Sequence, residues 1–235
     1  MTVPAQVSGG PFSLEVDYSN AAILARLPRV RHGLPQDFVD RNHRNRLLAA
    51  AIEAIAECGY PAVTVADITR HAAVSRGAFY RHFSDKEDCF LAAYDIAVEW
   101  LWERVEATIA ATMGWAQGVA NSVERLLDLL AADPRLARIC TVEAFVVGPV
   151  AVARHEALID RLAALLRRGR EEPTAGAALP PQLEEGLLGG AVSLVARYIH
   201  SERGEHLQEL TPILVELLLS PYVGPDEARR LLAPA

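Results

Sequence analysis

From residue 35 onward, apolar positions recur with the period of a helix. Phe38, Leu47, Leu48, Ala51, Ile52 and Ile55 share one face and Arg41, Arg44 and Arg46 the opposite one, which predicts a helix from Pro35 to Cys58. Proline suits its first turn, where an N–H has no partner to lose, and Gly59 stops it. Three helix starts follow in quick succession. Thr64, Ser75 and Ser84 each precede a run of helix formers, where a hydroxyl oxygen can accept a free backbone N–H. Thr64 with Asp67, and Ser84 with Glu87, have the spacing of a capping box, the aspartate version being the weaker match. Between the first two starts there is room for about two turns of helix. Val65, Ile68 and Ala72 share its apolar face, and the next short segment carries Val74, Ala78 and Phe79 to pack against it. Two short helices joined by a three- or four-residue turn form the helix-turn-helix layout, whose second helix enters the DNA major groove.

Ser84 also opens a long helix to about Thr112, with Phe90, Ala93, Ile96, Ala97, Trp100, Leu101 and Val105 on its apolar face. Val119, Val123, Leu126, Leu127 and Leu130 predict the next, ended near Asp133 and Pro134, and another runs to Val147 before Gly148 and Pro149. Ala153, Leu158, Ile159, Leu162, Leu165 and Leu166 carry a further helix to Arg170. Residues 171–181, with three prolines and one glycine, predict a loop. Two helices close the pattern, about Gln182 to Ser201 and His206 to Leu219, with Thr211 and Pro212 kinking the last or starting it afresh. No segment has a β period and no repeat is visible. The expected class is all-α with about nine helices. A flexible extension over 1–34 precedes a three-helix helix-turn-helix domain over 35–84 and a larger helical domain over 85–235.

Charge changes this picture. The 235 residues carry a formal charge of −7, which argues against nucleic acid until its distribution is considered. Residues 26–86 hold nine arginines and Lys86 against six acidic residues, a net of +4, leaving −11 for the remainder. A basic lobe on an acidic body fits a protein that presents one end to phosphate. Arg26, Arg29, Arg31 and His32 form a basic arm that can follow the DNA backbone or enter the minor groove; a solvated linker is the plainer reading. Cys58, Cys89 and Cys140 lie far apart, so no disulfide framework or zinc site is expected and each is read as a small buried residue. No leader peptide is visible and no apolar run reaches the ~18 residues of a membrane span, so a cytoplasmic location away from membrane is expected.

The run from Val74 to Lys86, VSRGAFYRHFSDK, resembles the DNA-binding motif of the tetracycline-repressor (TetR) family of bacterial transcription regulators. The V-S-x-x-x-x-Y-x-H-F-x-x-K spacing is more specific than a generic helix-turn-helix pattern, and the preceding helix with its Gly59-Tyr60-Pro61 break is similar as well. The resemblance covers about residues 35–100, and the rest only as a helical layout. It implies that the helix from Ser75 to Phe83 lies in the major groove, with Arg76, Gly77, Ala78 and Arg81 facing bases or nearby phosphates. Paired hydrogen bonds from Arg76 and Arg81 to guanine would each carry about 1–3 kcal/mol of discrimination. Thr64, Tyr80, His82 and Lys86 match phosphate-gripping positions, Ser75 opens the helix, and Phe79 and Phe83 belong to the core. Two departures stand out. Ala73 occupies a turn position where the family has glycine, a strain of about 1 kcal/mol if φ is positive, and Ala78 replaces a common hydroxyl.

The resemblance further implies a homodimer on a pseudo-palindromic operator and a pocket for a small-molecule effector. Gly186, Gly189, Gly190 and Ser193 would allow close approach between subunits, or merely make room inside one. Trp100, Trp115, Glu143, Phe145 and Tyr198 are candidates for an apolar pocket, although aromatic stripes on helices also serve as plain core. No nucleophile elbow, phosphate loop or metal-protease spacing is present, so no enzyme activity, cofactor or metal is expected. The reading that follows is a sequence-specific regulator, a repressor released by an apolar or aromatic effector. Its alternatives are a helical ligand-binding protein or enzyme with a vestigial motif, and an architectural DNA binder without sequence preference.

Overall fold

A computed structural model describes residues 36–172 and 179–232; the predicted extension, Pro35 and most of the 171–181 loop lie outside them. Among the described residues every regular element is helical. The N-terminal lobe comprises α1 (Gln36–Cys58), α2 (Val65–Ala72) and α3 (Arg76–His82), and α4 (Lys86–Ala111) runs from it into the larger body. The predicted face of α1 buries Leu47, Leu48, Ala51, Ile52 and Ile55 against Ile68, Phe79 and Phe83 in a shared core. Gly59 ends α1 at φ 80°, a conformation that favours glycine, and starts a 3-10 turn over Tyr60–Ala62. Cys58, beside it, is exposed rather than buried; Cys89 and Cys140 are buried. The cap of α4 is not Ser84 but Asp85, which accepts the Asp88 N–H at 2.8 Å, while the Ser84 N–H donates to Asp88 at 2.9 Å. A carboxylate one residue on competes better for the helix N-terminus than a hydroxyl.

The body contains α5 (Trp115–Ala132), α6 (Pro134–Arg138), a π-helical turn (Ile139–Glu143), α7 (Ala144–Val147), α8 (Pro149–Arg167), α9 (Leu183–His200), α10 (Thr211–Val223) and α11 (Pro225–Arg230). Three details go beyond the expected layout. The single helix expected from Pro134 to Val147 is interrupted by the π turn. Of the two readings of Thr211 and Pro212, the fresh start holds: the last long helix begins at Thr211 with Pro212 in its first turn, after a 3-10 segment over Gly204–Leu210. The short α11 was not anticipated, although Pro225, acidic residues in its first turn and arginines in its last are ordinary start and stop signals.

Two polar clamps hold the body in register. Buried Glu184 accepts both the Arg170 guanidinium and the Tyr222 hydroxyl, each at 2.8 Å, and these partners pull its carboxyl down to about 2. Arg170 also donates to the carbonyls of Leu179 and Pro180, tying the end of the loop to α9. At the seam with the lobe, Arg135 pairs with Asp133 and, across to α1, with Glu53 at 3.7 Å.

Candidate nucleic-acid interface and apolar cavity

The helix-turn-helix is assembled by caps. Thr64 and Asp67 make a reciprocal capping box: the threonine hydroxyl oxygen accepts the Asp67 N–H, and the Asp67 carboxylate accepts the Thr64 N–H at 3.0 Å. The Thr64 hydroxyl proton also goes to that carboxylate at 2.6 Å, and these bonds hold Asp67 below the usual carboxylate range. Thr64 therefore has no proton left for a phosphate. Ala73 closes α2 in the left-handed region, at φ 49° and ψ 44°, where alanine carries the strain anticipated from its missing glycine. Arg46 reaches from α1 to donate to the carbonyls of Ala72 and Ala73, which secures that turn. Ser75 then caps α3 by accepting the Ala78 N–H at 3.1 Å.

On α3 the side chains divide cleanly. Ala78 and Phe79 are buried, with Phe83 just beyond, whereas Arg76, Gly77, Tyr80 and Arg81 are exposed along one face. A Cβ on Gly77 would meet only the Ser75 Oγ, at 4.0 Å, so the missing side chain leaves room outside the protein rather than within it. Ala78 is thus removed from the set of base- or phosphate-facing residues, because its position packs inward. Lys86 also turns inward: its ammonium donates to the carbonyls of Tyr60 and Val63 at 2.7 and 2.8 Å and lies 3.9 Å from the Tyr60 ring centre. It fastens the start of α4 to the α1–α2 turn instead of reaching for phosphate. His82 is half-buried, with Nε2 buried and unpartnered near His43 and Asp40.

None of the five pocket candidates lines the cavity that the body encloses. Trp115 donates its indole N–H to the Leu165 carbonyl at 2.9 Å and packs on Tyr222. Trp100 and Tyr198 lie under Arg104 and Arg203, Phe145 is exposed against His155, and Glu143 is taken up in the seam with the lobe. The cavity, of about 190 Å³, lies instead between α4, α5, α8, α9 and α10. Leu101, Leu126, Leu162, Leu188, Val195 and Leu214 represent its aliphatic wall, in which no acidic, lysine or arginine side chain appears. Its few polar groups are already engaged: Ser122 and Thr141 donate to carbonyls of their own helices, and His155 Nδ1 meets the Tyr94 hydroxyl at 3.3 Å. Leucine and valine at helical spacing gave no sign of a hollow, since the same pattern fills a core.

Besides α4, the π turn touches both regions. Cys140 and Thr141, in the π turn, line the cavity, and Glu143 at the end of that turn accepts the Tyr60 N–H at 2.9 Å and the Arg138 guanidinium at 2.8 Å. Tyr60 is in turn held by Lys86. Elsewhere, Gly186, Gly189 and Ser193 lie on the exposed side of α9, and a Cβ on either of the two glycines would meet nothing within 4 Å. Gly190 faces Leu217 at 3.7 Å inside the subunit. Among the described residues no helix is long and apolar enough to cross a membrane.

Residues 47–93 match the family described as bacterial regulatory proteins, tetR family. The fatty acid metabolism regulator protein of Bacillus subtilis is 31% identical over 98 residues, covering 42% of this chain and 50% of its own length. The transcriptional activator FasR of Mycolicibacterium smegmatis is 30% identical over 121 residues, 52% of this chain and 53% of its own. The chain thus spans about half the length of these relatives. Its fold also matches the crystal structure of FadR from Bacillus subtilis in complex with stearoyl-CoA, with a TM-score of 0.67 over 75% of this chain and 97% of that one. At 23% identity that likeness concerns the fold. In its helix-turn-helix lobe, the chain is similar to the tetR family of bacterial regulatory proteins.

Proposed function

We propose that the protein is a homodimeric, operator-binding transcription regulator, a repressor released when a long apolar molecule occupies the cavity of its body. The observation that carries the reading is the face of α3, where Arg76, Gly77, Tyr80 and Arg81 stand exposed while Ala78 and Phe79 anchor the helix from behind. Arginines so placed can pair with guanine edges, and a bare Gly77 lets the backbone approach. We assign 35–84 to DNA binding, 85–235 to effector binding and dimerisation, and the basic arm of 1–34 to a supporting contact. The open glycine face of α9, with exposed Ile213 on α10, supports a helix-to-helix dimer contact.

The predominantly aliphatic wall favours an acyl chain, in keeping with the stearoyl-CoA held by the similar FadR structure. A chain longer than the cavity must part its helices, and the π turn would pass that movement through Glu143 and Tyr60 to the start of α4. A ligand can release DNA only by binding the released state more tightly. Fluorescence anisotropy against the protein's own upstream DNA and a random duplex, across a salt series, tests the reading. A preference of about 10³-fold or more supports it; equal, steeply salt-dependent binding favours an architectural DNA binder. Reporter expression falling in the presence of the protein supports repression, and rising expression would make it an activator like FasR.

A further inference from the structure

The fold brings together three donor groups, of which only His82 has a part in the operator reading, as a residue at a phosphate-gripping position. Asp40 and His43, about one turn apart on α1, meet His82 at the end of α3, and one ligand atom from each lies within 4.8 Å of the other two. Nδ1 of His43 and Nε2 of His82 are buried without a hydrogen-bond partner. Buried polar atoms are so rarely left unpaired that an ion or a bridging group between them is a natural completion. Burial lowers both imidazoles, with Arg46 and Arg81 adding to the effect at His43. Gln36 donates to Asp40 Oδ1 at 3.1 Å, the kind of outer bond that orients a ligating carboxylate.

We propose that Asp40, His43 and His82 form a site for a divalent transition-metal ion of the zinc class, tying the recognition helix α3 to α1. Two imidazoles and one carboxylate suit zinc and leave a fourth position for water. Ligation at about 2.0–2.2 Å sets tetrahedral ligand atoms roughly 3.3 Å apart, so the ion draws the three side chains together by small rotations. His82 directly follows Arg81, and occupancy therefore fixes the end of the helix that carries a base-reading candidate. Arg44, Arg46 and Arg81 lie close enough to oppose a cation, which makes this an exchangeable site rather than a closed structural one. Residue spacing alone hid the site, because its members come from two helices 39 residues apart in sequence, at His43 and His82.

The test is titration of the full-length, chelator-stripped protein with Co²⁺ and Zn²⁺, followed by calorimetry and visible absorption. The expected result is one equivalent per chain, with the d–d band of four-coordinate cobalt displaced by zinc, and a thermal midpoint that rises with zinc. His43→Ala and His82→Ala should abolish the band. Asp40→Asn, which keeps the side-chain size, should weaken binding by about tenfold or more with helicity intact, and His71→Ala should bind as the parent does. Absence of stoichiometric binding, or a band that survives all three site variants, would overturn the proposal. These readouts do not involve DNA and stand apart from the operator reading, on which only a zinc-dependent gain in DNA affinity rests.

Discussion

The lobe and the body solve opposite problems with the same secondary structure. In the lobe, short helices are positioned by polar bonds: the Thr64–Asp67 box, the Ser75 cap, Arg46 on the Ala72 and Ala73 carbonyls, and Lys86 on Tyr60 and Val63. Those bonds have narrow geometry and freeze α3 in one pose, which suits a surface that must match another molecule's register. The body is held chiefly by aliphatic contacts around a hollow. Apolar packing is non-directional and tolerates displacement, which suits the effector chamber proposed for it. Rigidity at the reading head and compliance behind it follow from which kind of bond dominates each region.

The contrast can be broken from either side. The largest effect is expected from Arg76→Ala with Arg81→Ala. If each arginine discriminates by about 1–3 kcal/mol, the pair should erase roughly 30- to 10⁴-fold of operator preference while circular dichroism stays unchanged. Next is the Glu184 clamp in the body. Arg170→Ala leaves the buried Glu184 carboxylate with the Tyr222 hydroxyl alone and should clearly lower the urea midpoint. Because the folded carboxyl of Glu184 is depressed to about 2, its stabilisation is full above its ordinary value of 4.5 and is lost as pH falls from there toward about 2. Acid unfolding of the parent should therefore steepen in that window, and that of Arg170→Ala should not.

A smaller effect is expected from Val123→Phe, which fills the cavity from α5. It should weaken binding of an acyl probe by about tenfold or more and change stability by about 1–3 kcal/mol at most, with DNA binding retained. Unchanged probe affinity would place the ligand elsewhere. The smallest is Ala73→Gly. Relief of the left-handed strain is partly offset by added freedom in the unfolded chain, so a gain of about 1 kcal/mol is the upper expectation, read as a rise in urea midpoint.

The same division explains what the sequence made legible. Caps, the Gly59 stop and the Val74–Lys86 spacing are local signals, and they located α1 to α4 and the exposed Arg76 and Arg81. Lys86 and Ala78 were misplaced for a related reason, since position in a motif does not say which way a side chain turns; here the Tyr60 and Val63 carbonyls capture the lysine. The cavity was illegible because its wall is built from leucines of five helices, indistinguishable in sequence from leucines that fill a core. Aromatic residues drew attention instead, and the structure spends them on plugs and surface stacks such as Trp115 on Tyr222 and Trp100 beneath Arg104. The π turn escaped notice too, as its five residues fit an unbroken helix equally well.

The most direct test of a rigid head governed by a compliant chamber is operator affinity measured with and without stearoyl-CoA, in the parent and in Glu143→Gln. The variant weakens the hold on Tyr60 without touching α3 or the cavity wall. The expected result is that the ligand lowers operator affinity of the parent by about tenfold or more, a coupling of about 1.4 kcal/mol, and that Glu143→Gln still binds both partners with that coupling reduced. Operator affinity indifferent to ligand in a parent protein that demonstrably binds it would contradict the coupling between chamber and head.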